Sequence, residues 1–144
     1  LLNLIYSIPD STLRSIFTLN PRSKALEAAQ AAIETKARDI VIFEVGELTT
    51  IADYMVICSA QSHRQVQAVM RHVENRLKNL KTLPQSIEGT EAAVWILMDY
   101  GDIMVHIFTN DIREYYGLDS VWGDAPSQVF ENEPSTMAAG RTMG

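Results

Sequence analysis

Two apolar runs, residues 94–99 and 102–108, stand either side of the dipeptide Tyr100-Gly101. A connection that short joins only antiparallel neighbours, with glycine supplying the turn's positive φ. The chain is thereby committed to a sheet, and the rest must be read for what pairs with this hairpin and what covers it. Strand alternation sends Val94, Ile96 and Met98 to one face and Trp95, Leu97 and Asp99 to the other. Both faces are apolar over four residues, so each needs a cover, either a helix of the same chain or a partner. An aromatic residue with aliphatic neighbours and a charged rim is also the composition of a protein-binding hot spot.

One cover is legible further upstream. Ser62 with Gln65 three residues on predicts a capping box. Val66, Val69, Met70, Val73, Leu77 and Leu80 then form one apolar stripe at helical spacing, while Arg64, Gln67, Arg71, Glu74 and Lys78 point elsewhere. A second helix is predicted over 24–38, after the break at Asn20-Pro21, from Leu26, Ala29, Ile33 and Ala37. Two short runs rich in β-branched residues, 40–43 and 54–58, read as strands. Gly46 and Thr49-Thr50 mark the turn between them. After Pro84 comes a polar connector holding Glu88-Gly89; residues 111–117 read as a short helix and 118–122 as a docked end segment. This order predicts an α/β (α+β) fold, a mixed β-sheet with flanking helices. Residues 1–21 are expected to be a flexible extension, 22–124 a single domain and 125–144 a flexible acidic tail, since Pro, Gly, Ser, Asn and Ala accumulate there without periodicity.

Charge narrows the function. Twelve Lys and Arg against eighteen Asp and Glu give a net charge of −6. That argues against a domain whose main business is wrapping a phosphate backbone, yet leaves room for a local basic face. Such a face has a candidate: residues 64–81 carry five basic groups and only Glu74, whereas 82–144 carry Arg113 and Arg141 against ten acids. No stretch approaches the roughly 18 uninterrupted apolar residues of a membrane-spanning helix. Residues 1–17 lack the basic head and continuous apolar stretch of a signal peptide. A single cysteine excludes an internal disulfide and a Cys-rich zinc site, and fits a reducing, cytoplasmic compartment.

The search for reaction chemistry yields little. Cys58 ends an apolar run with no histidine near it in sequence, so it reads as a core thiol. His63 and His72 are nine apart on one helix and cannot face a common metal. Asp102 and His106 share a strand face but lie about 13 Å apart along it. Asp99 could meet Asp102 across the turn to hold Mg²⁺, but capping of the turn's N–H groups is the simpler reading. Ser59-Ala60-Gln61-Ser62 enters a helix N-terminus without the glycine a phosphate loop needs, and helix capping by Ser62 accounts for it. No catalytic residue, metal or cofactor is therefore expected.

Together the motifs resemble the ribosomal silencing factor family, RsfS, also called Iojap-like. The likeness runs through Asp39-Ile40, Ile51-Ala52-Asp53-Tyr54-Met55-Val56-Ile57, Ser59, Ser62, Arg64-Gln65-Val66 and Glu88-Gly89. It continues at Trp95, Leu97, Asp99-Tyr100-Gly101-Asp102, Val105-His106, Arg113, Tyr115-Tyr116, Leu118 and Trp122-Gly123-Asp124. It spans about residues 24 to 124; Ala60 stands where the family usually has glycine. The resemblance implies a protein that binds the large ribosomal subunit through its fourteenth protein. It would block joining of the small subunit and lower translation, with little direct RNA contact. It also implies a nucleotidyltransferase-like topology, here without the Gly-Ser pair and Asp-x-Asp carboxylates that such enzymes need. On this reading the outer hairpin face is the contact: Trp95 as anchor, Leu97 beside it, Asp99 facing a basic partner, Tyr100 at the turn and His106 next to the strand. Two other readings stay open, a metal-dependent nucleotidyltransferase-like enzyme and a homodimeric scaffold module using the same face.

Overall fold

The computed structural model describes residues 19–130. Asn20 caps the first helix, α1 (Pro21–Glu34), its side chain accepting from the Ser23 N–H at 2.8 Å while Pro21 sits in the first turn, where its missing N–H costs nothing. The helix ends four residues before the predicted boundary. Lys36 turns left-handed at φ 66°, which breaks the helical path and releases Arg38 into a strand.

That strand, β1 (Arg38–Glu44), pairs antiparallel with β2 (Tyr54–Ala60). Helix α2 (His63–Asn79) follows with Ser62 as cap; its Oγ accepts from the Gln65 N–H at 3.1 Å, and the Gln65 Oε1 accepts in return from the Gln61 N–H. The capping pair is as predicted, except that the returning bond goes one residue further back. Next come the short β3 (Ser86–Glu88), then β4 (Trp95–Asp99) and β5 (Ile103–Thr109), and two short helices, α3 (Asn110–Tyr116) and α4 (Leu118–Val121). The last element is β6 (Ser127–Phe130).

The six strands lie in the order β3-β4-β5-β2-β1-β6, with β2 and β5 parallel and every other pair antiparallel. This is the mixed sheet the sequence predicts, enlarged by one strand at each edge. The connector after Pro84 supplies β3. The supposed tail supplies β6, so 125–130 is not a loose end: Ser127–Phe130 hydrogen-bonds along β1, with Val129 opposite Val41. The expected flexible segments 1–18 and 131–144 lie outside the described residues.

The hairpin forms, but its turn is offset by one residue. The Tyr100 N–H donates to the Ile103 carbonyl at 3.0 Å, leaving Gly101-Asp102 at the tip with Gly101 at φ 88°. Tyr100 thereby continues the strand alternation, and its ring goes to the side of Ile96 and Met98. That side is roofed by α1 and α2. Ala25, Ala28, Ala29, Ala31 and Ala32 are all buried, so α1 lies close to the sheet on methyl groups, while α2 contributes Val66, Val69, Val73 and Leu77. The other side holds a smaller cluster, Val41, Phe43, Met55, Ile57 and Phe108, partly covered by Ile112, Leu118 and Trp122.

Candidate functional site

The second face is closed only in part, and its open portion lies on β4 and β5. In register, Trp95 stands opposite Phe108, Leu97 opposite His106 and Asp99 opposite Met104. Trp95, Leu97, Asp99 and Met104 are all half-exposed. Glu88, opposite Leu97 on β3, adds an exposed carboxylate at the edge.

Trp95 is fixed in orientation by its neighbours. Its ring packs on Phe108 at a centroid distance of 5.0 Å and on Tyr116 at 4.7 Å. Its Nε1–H donates to His106 Nδ1 at 3.1 Å. Tyr115 stands edge-on against Tyr116 and is 79% exposed, the more exposed ring of the pair. Gly89 holds the strand's entry: at φ 87° it lies so close to the Trp95 carbonyl that a Cβ there would overlap it. The result is a pre-formed aromatic step, Tyr115–Tyr116–Trp95, running into the aliphatic Leu97 and Met104. Sequence reasoning did not assign the two tyrosines or Met104 to this surface. Met104 was reachable by alternation from His106; the tyrosines sit on a seven-residue helix too short to show a stripe.

Two expected contact residues fall elsewhere. Tyr100 is buried on the helix side, because the turn begins one residue later than predicted. Its hydroxyl has no hydrogen-bond partner among the described residues, and burial, with Glu74 nearby, pushes its pKa well above the ordinary phenol value. His106 does lie on the open face but underneath it, 6% exposed, where burial holds its pKa down at about 4. The ring is thus neutral near pH 7. With Nδ1 accepting from tryptophan, its proton resides on Nε2, which has no partner among the described residues. His106 therefore supports Trp95 from beneath. Asp99 holds the turn as well as facing outward, its Oδ1 accepting from the Gly101 N–H at 2.8 Å.

What fixes α3 and α4 over the sheet is Arg113. Neither helix buries a residue fully. The Arg113 guanidinium instead grips Asp119 at 2.9 and 2.7 Å and donates to the Ser59 Oγ at 2.8 Å and the Asp39 carbonyl at 2.7 Å. Asp119 is held below the usual carboxylate range chiefly by those bonds. Asp39 is itself left-handed at φ 49°, beside a register shift in β1, which turns its carbonyl out of the β1–β2 ladder.

The groups weighed for catalysis are otherwise engaged. Cys58 is fully buried and its thiol is pushed up to about 12 by desolvation, which the Arg113 charge only partly opposes. Asp102 pairs with Lys24 at 2.8 Å. His63 contacts the Ala92 carbonyl and His72 contacts Glu34. Ser59, near the C-terminal end of β2, is buried, and its Oγ accepts a hydrogen bond from Arg113. Among the described residues no three His, Cys, Asp or Glu side chains are grouped so as to hold a metal ion, and no helix is long and apolar enough to cross a membrane.

A family model described as "Ribosomal silencing factor during starvation" matches residues 18–143. The chain is 37% identical over 108 residues to the ribosomal silencing factor RsfS of Bacillus subtilis, a match covering 75% of this chain and 92% of that protein. It is 32% identical over 92 residues to the Mus musculus protein named mitochondrial assembly of ribosomal large subunit protein 1, covering 62% of this chain and 40% of that one. A crystal structure of a Chromobacterium violaceum protein matches with a TM-score of 0.72 at 27% identity, covering 82% of this chain and 98% of that chain. The chain belongs to the ribosomal silencing factor (RsfS) family. The match extends past the residue 124 at which the sequence resemblance stops, consistent with β6 being part of the sheet.

Proposed function

We propose that this chain is a non-enzymatic translational repressor. It docks through the open half of its second sheet face onto the fourteenth protein of the large ribosomal subunit and keeps the small subunit from joining. The observation that carries this reading is the half-covered aromatic step. Trp95 is held in place from below by Phe108 and His106 and packs on Tyr116, with Leu97 and then Met104 further along the same face, in a molecule that has already buried its other face. Rigid aromatic anchors beside aliphatic side chains are the residues that carry most binding energy at protein interfaces. Family membership supports a ribosomal setting, and the mouse relative's name points to the large subunit. Glu88 and Asp99 at the margin suit a basic protein partner, and none of the face's exposed residues named here is a lysine or arginine that would favour RNA. Steric blockade needs no turnover, which agrees with side chains committed to structural bonds.

The contact set becomes Trp95, Leu97, Asp99, Met104, Tyr115 and Tyr116, with His106 beneath. Binding to isolated large subunits and the fraction of subunits joined test the reading together. Wild-type protein should cosediment with large subunits and lower the joined fraction. Trp95→Ala, with folding verified by circular dichroism, should lose about 2 kcal/mol of binding, roughly thirtyfold in affinity. Failure of the wild-type chain to bind large subunits defeats the proposal. A stable dimer whose interface survives addition of subunits would assign the face to self-association instead.

A further inference from the structure

On the far side of the molecule, α2 presents a second surface of opposite character. Its apolar stripe is committed to the sheet through Val66, Val69, Val73 and Leu77. Arg76 and His72 face α1 and are occupied there, Arg76 by Glu27 at 2.6 Å and by Glu34 at 3.1 Å, His72 by Glu34 at 2.8 Å. Arg64, Arg71 and Lys78 are exposed and form no ion pair or hydrogen bond among the described residues. They recur every seven residues, so they stay nearly in line along the helix over about 21 Å. Glu74, the one carboxylate of α2, is half-buried and pairs with none of them. In a chain of net charge −6, this line is a local strip of positive charge that a polyanion can approach.

Three kinds of partner carry negative charge, and the row discriminates among them. Anchoring on a lipid surface needs apolar side chains beside the cations; here Ala68 and Asn75 lie between them, and the helix's apolar side is in the core. An acidic protein would need an aromatic or aliphatic anchor to dock with useful affinity, and the exposed aliphatics nearest the row, Leu80 and Leu83, lie past the end of α2 rather than among the cations. A phosphate backbone needs neither, because spaced Arg and Lys charges release its counterions and amide side chains help set position. We propose that Arg64, Arg71 and Lys78 on the outer face of α2 form a contact for an RNA phosphate backbone, separate from the aromatic face. That the RNA is ribosomal rests on the docking reading above; the phosphate chemistry does not.

Fluorescence anisotropy with a labelled RNA duplex across about 50 to 200 mM KCl, alongside cosedimentation with large subunits, tests this. Three full-length proteins are compared: wild type, Trp95→Ala, and the combined Arg64→Gln, Arg71→Gln, Lys78→Gln variant. All three altered positions are exposed, so the combined variant should fold normally by circular dichroism. Its RNA affinity should fall on the order of tenfold at low salt, and the slope of log K against log salt should become shallower by about 3. Trp95→Ala should bind RNA like wild type while losing subunit binding. Equal RNA affinity and salt slope in the combined variant and wild type would overturn the RNA contact. So would loss of subunit binding by the combined variant in a protein whose wild type binds no RNA, which would give the row to an acidic protein. Failure of the docking proposal reads differently, as Trp95→Ala retaining wild-type subunit binding.

Discussion

Ile96, Met98 and Ile107, on the helix side of the sheet, are fully buried, whereas Trp95, Leu97 and Met104 on the same two strands are left half-covered. The covers explain the difference. The helix side is roofed by α1 and α2, fourteen and seventeen residues long, which seat alanines, valines and leucines on the strands. The other side is roofed by α3 and α4, seven and four residues long, which bury no residue fully and depend on the bonds of Arg113. One face thus provides stability by burial, and the other keeps apolar surface available in a fixed shape. The comparison teaches that an incomplete roof held by a polar clip can present aromatic rings without giving up the core beneath them.

The sharpest way to break the comparison is to damage the closed face. Ile107→Ala removes a fully buried side chain and should cost about 4 kcal/mol of stability, read as a shift in the urea midpoint. Subunit binding by the molecules that remain folded should be unchanged. A loss of binding without a loss of stability would mean the two faces are not separable.

Acid should act through the open face. Burial holds His106 at about 4 against an ordinary value of 6.5, so the unfolded chain takes up its proton first as pH falls. The stabilisation is complete above pH 6.5 and is lost as pH drops toward 4, by up to about 3 kcal/mol. Urea titrations over that window should show the decline, and His106→Gln should flatten it. An unchanged slope would mean His106 is not buried and neutral beneath Trp95.

Arg113→Ala should have a smaller effect, about 2 kcal/mol of stability, because it strips a bidentate partner from Asp119 and a donor from Ser59. Since α3 carries Tyr115 and Tyr116, subunit binding should fall as well. Arg113→Lys should restore little of either, a point charge being unable to serve Asp119, Ser59 and Asp39 at once. Full restoration by lysine would show that charge alone, rather than the fork of bonds, holds the roof.

The sequence made the closed face readable because its signals are local and periodic. The stripe of α2, the cap at Ser62 and the alternation of β4 each declare themselves within a few residues. The open face was half legible. Trp95 and Leu97 followed from alternation, but a turn placed one residue early made Tyr100 a turn residue, although extending the alternation past Asp99 sends it inward. The edge strands were missed for a physical reason: β3 and β6 have three and four residues, mostly exposed, and draw their order from pairing rather than from an apolar pattern. Arg113 was visible only as part of a resemblance, since its bond to the Asp39 carbonyl crosses 74 residues of chain. His106 was placed on the correct strand face, but its burial, and so its role beneath Trp95, depends on neighbours brought in from β2 and β4.

The central claim, that the open face and not the helix face meets the large subunit's fourteenth protein, is tested most directly by photo-crosslinking. A p-benzoylphenylalanine placed at Tyr115, whose side chain is 79% exposed, leaves the fold undisturbed. The same probe at Asn75 on the outer side of α2 samples the opposite face. With large subunits bound and illuminated, the Tyr115 probe should yield an adduct with the fourteenth protein, identified by mass spectrometry, and the Asn75 probe should not. An adduct with that protein from Asn75, or none from Tyr115 in a subunit-bound chain, would contradict the account.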